Sequence, residues 1–329
     1  MKALVYTAPH EMTIMQQPDP VAGENEVVVK IDAVGICGSD MHAYQGHDAR
    51  RLPPLVLGHE ICGTVTSDKH KGRRVILNPL ISCNRCYYCE TGRPNICSNR
   101  TMIGMTRPGG YADAVSIPEQ CLVFVADDMD PVAAALTEPA ATGLHGLVLA
   151  TRVMARPIAE ARTLVIGAGS VGLLTALLLK HQGCEHIHIA ETNELRQGPA
   201  RAAGFSQVFN PIETLVDESS FDLVIDCVGS QKTREMSMFA AAPGSVFLHI
   251  GLMDNNGGLD ARKMTLAEII MIGAYTYTQA DLGVAAQKLY SGAYGSLDWV
   301  ETRHLDEGPE TFSALLRGEI AAPKVVLTP

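Results

Sequence analysis

Two textures divide the apolar and polar pattern of the chain. From residue 1 to about 125, short apolar runs (KALVY, EVVVKIDAV, GTVT, RRVIL, YADAVSI, CLVFV) alternate with Gly, Pro and Asn. Such runs predict an irregular β-rich domain. From about residue 160 the runs lengthen and take turns with helical stretches. TLVIGAGSVGLLTALLLKHQG reads as a buried strand, a glycine turn and a helix. HIHIAE is a second strand, followed by a helical segment from Glu194 to Ala203, and FDLVIDCVG and SVFLHIGL are further strands. Strands alternating with helices predict a parallel sheet. The tail, APKVVLTP, returns to strand character. The expected fold class is therefore α/β, with a β-rich domain joined to a doubly wound parallel-sheet domain.

Composition adds exclusions. The chain has 329 residues, 47% of them hydrophobic and 19% charged, with a formal net charge of −10. That length accommodates two domains, each with its own core. An acidic chain without a basic stripe argues against nucleic acid and anionic membranes as partners. MKALVYTAPHEM lacks a signal-peptide core. The longest apolar stretch, residues 131–150, contains Glu138, Pro139 and His145, so it reads as protein interior. A cytoplasmic location is expected, where thiols stay reduced.

That compartment gives the cysteines their meaning. Cys83, Cys86, Cys89 and Cys97 follow C-x2-C-x2-C-x7-C. Four thiolates close a tetrahedral zinc shell with no position left for substrate, so the segment reads as a structural site shaped by its metal. Cys62, Cys121, Cys184 and Cys227 sit in apolar surroundings and read as core.

Gly167, Gly169 and Gly172 form G-x-G-x-x-G between a strand and a helix. The first glycine permits the turn, the second lets backbone approach a pyrophosphate and the third lets helix pack on strand. The helix N-terminus then faces the phosphates. Glu191 follows at the end of the next strand, where a carboxylate accepts from both ribose hydroxyls and repels a 2′-phosphate. The expected cofactor is NAD. A further cluster lies in GICGSDMH (35–42) and GHE (58–60). Cys37 and His59 are suitable zinc ligands, with Glu60 beside them and Glu138 in an otherwise apolar segment. Taken singly, each has a bland reading: a core thiol, a satisfied histidine, a charge at a helix start. Together, two such ligands, a carboxylate and a water would make an open, catalytic zinc site.

The four-cysteine lobe, GHE, Cys-x-Ser-Asp and GAGSVG occur in the order and spacing of the zinc-dependent medium-chain alcohol dehydrogenases, which the chain resembles over essentially its whole length. The resemblance implies a GroES-like catalytic domain, residues 1–139 with 278–329 returning to it, and a Rossmann NAD-binding domain, residues 140–277. It implies two zincs per chain. Cys37, His59, Glu60 and Glu138 would serve the catalytic zinc, and Cys83, Cys86, Cys89 and Cys97 the structural one. It makes Ser39 the holder of the reacting hydroxyl, Asp40 the group that orients His59, and His42 the outer base of a proton relay. Thr142 and Val171 would pack against the nicotinamide. A homotetramer or homodimer acting on a small-molecule alcohol or polyol is implied as well.

The chain also departs from the liver-type pattern. Glu138 stands where those enzymes have a zinc-bound cysteine, a feature similar to the sorbitol, polyol and sugar-acid branch. Thr276-Tyr277 stands where sorbitol dehydrogenases carry Arg-Tyr. GTVTSDKHKGRRV is shorter than the family's turn and reads as a trimmed surface loop. His47, Arg50, Arg51 and Arg107 either line the substrate mouth or face solvent, with solvent favoured for at least two. The function these features imply is hydride transfer to NAD from a secondary alcohol of a polyol, sugar phosphate or sugar acid. The alternatives are a threonine or simple alcohol dehydrogenase of the same family, or a non-catalytic NAD-binding zinc protein.

Overall fold

The structure, a computed structural model, describes residues 1–67 and 70–329. Asp68 and Lys69, within the turn read as a trimmed loop, lie outside the described residues.

The N-terminal part is built on β-branched runs. Strand Glu26–Gly35 is its hub: it pairs antiparallel with Glu60–Val65 and with Ala114–Pro118. Sheet order then runs outward through Arg74–Leu77 to Leu122–Phe124. Lys324–Thr328 joins on the other side of the hub, with Val326 opposite Gly35 and Leu327 opposite Val34, and Val300–His304 pairs parallel to it. The C-terminal tail thus completes the N-terminal sheet. A smaller three-stranded sheet holds Lys2–Ala8 between Glu11–Gln16 and Leu55–Val56.

The middle of the chain forms a six-stranded, fully parallel sheet. In spatial order its strands are Gln207–Phe209, Ile187–Ala190, Thr163–Ile166, Phe221–Asp226, Ala241–His249 and Ile270–Gly273. In chain order within the sheet this is 3-2-1-4-5-6, whose crevice lies at the carboxyl ends of the first and fourth strands. Helix Ser170–His181 follows the first strand and buries Leu173, Leu174, Leu177, Leu178 and Leu179.

Helix Thr137–Thr151 links the two parts. It packs on helix Ser170–His181 and on helix Gln279–Tyr290. The first crossing is close because Gly143 has no side chain: a Cβ there would lie 2.3 Å from Thr175 Oγ1. One buried core cluster contains Ala33, Cys62 and Ile76 from the first sheet together with Val165, Leu223 and Leu248 from the second. The halves therefore share apolar surface at their junction. Among the described residues, no helix is long and apolar enough to cross a membrane.

Candidate active site

The short helix Gly38–Tyr44 begins at Cys37, and Asp40 accepts from the Cys37 N–H at 3.2 Å. This one turn places the Cys37 thiol, the Ser39 hydroxyl and the Asp40 carboxylate around the same corner. Ser39 Oγ donates to Cys37 Sγ at 3.4 Å. Asp40 is fully buried, accepts from Tyr111 Oη at 2.7 Å and faces His59 Nδ1 with its Oδ1 at 3.4 Å. Neither atom of that last pair has a hydrogen-bond partner among the described residues. Burial would raise the Asp40 pKa, but His59, Arg51 and Tyr111 outweigh it and hold the carboxylate far below its usual range. Burial would likewise lower His59, and Asp40 and Cys37 instead raise it well above an ordinary histidine.

Cys37, His59 and Glu60 offer ligand atoms that all lie within 4.8 Å of one another. A thiolate, an imidazole and a carboxylate make a donor set suited to zinc, and Asp40 at Nδ1 leaves Nε2 as the coordinating nitrogen. The residues present therefore fit the metal. Glu60 also makes a buried ion pair: Lys324, 2% exposed, donates to both its oxygens at 2.6 Å and to the Ile36 carbonyl at 2.7 Å. The register explains the pair, because Glu60 sits opposite Gly35 on one side of the hub strand and the tail pairs on the other.

Glu138 is outside that mutually close group. It is buried at the start of helix Thr137–Thr151, and its Oε1 accepts from Tyr277 Oη at 2.7 Å. Burial pushes its pKa up to about 7 and Glu60 adds to this, against the opposing pull of His59, Tyr277 and Lys324. His42 is half-buried on the helix behind Ser39, and burial followed by the neighbouring His47 lowers its pKa. Thr142 Oγ1 donates to the Glu138 carbonyl at 3.3 Å, one turn along the same helix. Val171, at the start of helix Ser170–His181, packs at the edge of the shared core.

The glycine turn leaves no room for side chains at two of its three positions. Gly167 has φ +95°, which a side chain would resist, and a Cβ on Gly172 would lie 1.9 Å from the Gly167 carbonyl oxygen. Gly169 caps the helix. Glu191 is buried beside this turn and accepts from the N–H groups of Ala168 and Asn193, both at 2.8 Å. It braces the loop from the end of the second strand of the sheet.

The four lobe cysteines also fit a metal. Their Sγ atoms lie within 4.8 Å of one another, with three separations of 3.5, 3.6 and 3.8 Å. A tetrahedron with Zn–S near 2.3 Å has edges of about 3.8 Å. From this lobe, Asn95 donates to the Tyr275 carbonyl at 2.9 Å and approaches His145 Nε2 at 3.4 Å, while His145 Nδ1 faces Asp281 at 2.8 Å. The lobe thus grips the segment that carries Tyr277.

The residues match the alcohol dehydrogenase GroES-like domain over 23–127 and the zinc-binding dehydrogenase domain over 170–290. An uncharacterised zinc-type alcohol dehydrogenase-like protein of Haemophilus influenzae is 32% identical over 84% of this chain and 83% of its own. The chain belongs to the zinc-type alcohol dehydrogenases. As a member it is a zinc-dependent, nicotinamide-linked oxidoreductase of GroES-like plus Rossmann architecture. The L-galactonate-5-dehydrogenase of Escherichia coli K12 is 29% identical over 89% of this chain and 88% of its own. Acetophenone reductase of Geotrichum candidum, solved in complex with NAD, superposes with a TM-score of 0.87 at 28% identity, covering 100% and 97% of the two chains.

Three residues in this site were not singled out as site residues by pattern. Tyr277 and Lys324 reach Glu138 and Glu60 across long sequence separations. Lys324 did leave a signal, since a lone cation in the strand-like KVVLT needs a buried partner. Arg51 is buried against Ser39, whereas Arg50 and His47 are exposed and Arg107 is paired with Glu26 at 2.7 Å. Cys62, Cys121 and Cys184 are buried, and burial raises the Cys62 and Cys121 thiols to about 12.

Proposed function

We propose that the protein oxidises a secondary alcohol of a polyol, sugar phosphate or sugar acid, with NAD as acceptor. The observation that carries this reading is the buried Glu138–Tyr277 pair, outside the mutually close group Cys37, His59 and Glu60 but near enough to feel their charges. A buried carboxylate and phenol make this wall polar where an apolar alcohol would need apolar contact, and a carboxylate is a harder ligand than a thiolate. Both favour a substrate with a second hydroxyl near the reacting one.

Cys37 and His59 would hold the catalytic zinc, with Glu138 or Glu60 as the further carboxylate, and Cys83, Cys86, Cys89 and Cys97 would hold the structural one. When bound, zinc supplies Lewis acidity at the substrate oxygen and NAD supplies the hydride acceptor. The chain's own residues do the rest. Ser39 takes the substrate proton at Oγ, and His42 receives it farther out. Asp40 fixes the His59 ring. Thr142 and Val171 flank the nicotinamide, Gly167, Gly169 and Gly172 admit the pyrophosphate, and Glu191 selects the unphosphorylated ribose. In domain terms, residues 1–139 with 278–329 form the catalytic unit and 140–277 the cofactor unit, the first crossing falling inside helix Thr137–Thr151. A cytoplasmic location accords with nine free cysteines. Self-association is supported by the open edge of the parallel sheet.

A screen of NAD reduction with polyols, sugar phosphates, aldonates, L-threonine and simple alcohols tests the substrate class. A polyhydroxylated secondary alcohol should give the highest kcat/KM. Ethanol or a long-chain primary alcohol outperforming every polyhydroxylated compound would overturn it.

A further inference from the structure

Arg51 lies directly behind the Ser39 hydroxyl. It is 2% exposed and among the largest fully buried side chains of the molecule. Its guanidinium reaches four acceptors. Nε donates to the Gly104 carbonyl at 3.0 Å, and Nη1 to the Ser39 carbonyl and to Asp48 Oδ2, both at 2.9 Å. Nη2 donates to Ser39 Oγ at 3.2 Å, with Asp40 Oδ1 3.9 Å away. One side chain therefore grips Ser39 at both its backbone and side-chain oxygens, and Asp48 and Asp40 compensate its charge.

The chemistry of the two groups gives this grip a direction. A serine hydroxyl has one proton and two lone pairs, whereas a guanidinium only donates. Arg51 therefore occupies one lone pair, and the Ser39 O–H must point elsewhere. It does, toward Cys37 Sγ at 3.4 Å. The second lone pair takes the substrate's proton, and the hydroxyl's own proton leaves in the same step to an outer acceptor, the His42 imidazole or water. A lysine could not reproduce this, because its single ammonium cannot span the Gly104, Asp48 and Ser39 acceptors in one plane.

We propose that Arg51 is the positioning residue of the proton relay: it holds Ser39 Oγ in the one orientation from which that oxygen accepts the substrate proton. This rests on the reading of Ser39 given above.

The test uses the holoenzyme and the variants Arg51→Gln and Arg51→Lys. Crystal structures should show Ser39 in a different rotamer in Arg51→Gln. Kinetics would use whichever of D-sorbitol, galactitol 1-phosphate, L-idonate and 2-butanol the wild type oxidises fastest. In both variants kcat should fall about 10- to 100-fold, the range lost when a proton transfer is misaligned. KM and NADH affinity by fluorescence titration should stay within about threefold. The solvent deuterium isotope effect on kcat should rise, because proton transfer becomes limiting. Methylguanidinium should restore part of the rate to Arg51→Ala, which keeps the test open if Arg51→Gln folds poorly. Adding Arg51→Gln to Ser39→Ala should cost nothing further. If Arg51 only braces the loop, the melting temperature falls while the Ser39 rotamer and the isotope effect stay as in wild type; that result overturns the proposal. If the wild type oxidises none of the four compounds, the substrate reading fails, and the rotamer comparison still judges Arg51.

Discussion

Tyr277 makes the only side-chain hydrogen bond described for Glu138, at 2.7 Å, and both groups are buried. Tyr277→Phe keeps the ring and removes the donor, so a buried carboxylate loses its partner and its fixed direction. Turnover should fall at least about tenfold, the low end for disturbing a metal's immediate surroundings, with NADH binding unchanged by fluorescence titration. A fully active Tyr277→Phe enzyme would show that turnover does not depend on Tyr277 fixing the Glu138 carboxylate. Glu191 leads to a separate prediction about cofactor choice. Its carboxylate both braces Ala168 and Asn193 and would meet the ribose. Glu191→Ala should lower kcat/KM for NAD more than for NADP; a wild type that prefers NADP would contradict the assignment. At this scale, legibility followed sequence distance. Cys37, Ser39 and Asp40 share one helical turn and His59 and Glu60 are adjacent, so short motifs pointed to Cys37, His59 and Glu60, and the family resemblance to Ser39 and Asp40. Arg51 carried no such mark, because its neighbours are set by how the Gly104 segment folds back over the helix.

The four-cysteine lobe is a loop element with little core, since Cys83, Cys86 and Cys89 are all partly exposed and only Cys97 and Asn95 are buried among its polar residues. Cys86→Ser should reduce zinc content from two to one per chain and lower the melting temperature, since the metal supplies the lobe's folding energy. The lobe's function in the fold runs through Asn95, which joins it to Tyr275 and His145. His145 in turn meets Asp281, which caps helix Gln279–Tyr290 through Thr278. Burial would raise the Asp281 pKa, yet His145 and Thr278 together depress it. A depressed carboxylate stabilises the fold above its unfolded pKa of about 3.9, and that contribution disappears as pH falls through the lower folded value. Asp281→Asn should therefore lose less stability than wild type on acidification from about pH 5 to about pH 3, read as melting temperature against pH. Equal acid limbs would mean that Asp281 is not the group responsible. The C-x2-C-x2-C-x7-C spacing disclosed the lobe itself, whereas its attachment to the cleft depends on a carbonyl at Tyr275 and could not be read from residue types.

Across the whole molecule, the alternation of apolar runs with helices was enough to anticipate the parallel sheet, and the glycine turn marked its first strand. The sixth strand, Ile270–Gly273, escaped notice because IMIG is short and merges into the apolar stretch on either side. That strand has a consequence for assembly. It ends the sheet order and pairs, among the described residues, only with Ala241–His249, so one side of its backbone has no strand partner. Two large apolar side chains are exposed at or near it: Ile270 at 40% and Leu266, just before it, at 73%. An exposed apolar edge of this kind templates pairing with another strand, and monomeric proteins blunt such edges with charged residues, of which the strand Ile270–Gly273 itself has none. A second copy offering the same edge satisfies both backbones at once and buries both apolar strips about a two-fold axis. Wild type should then behave in light scattering as a dimer or a multiple of one. Ile270→Lys places a charge on the edge without touching the zinc ligands or the glycine turn. It should reduce the mass to half that of wild type or less, while zinc content and the far-ultraviolet spectrum stay as they are. A monomeric wild type, or an Ile270→Lys protein of unchanged mass, would show that copies of this chain do not meet through this strand.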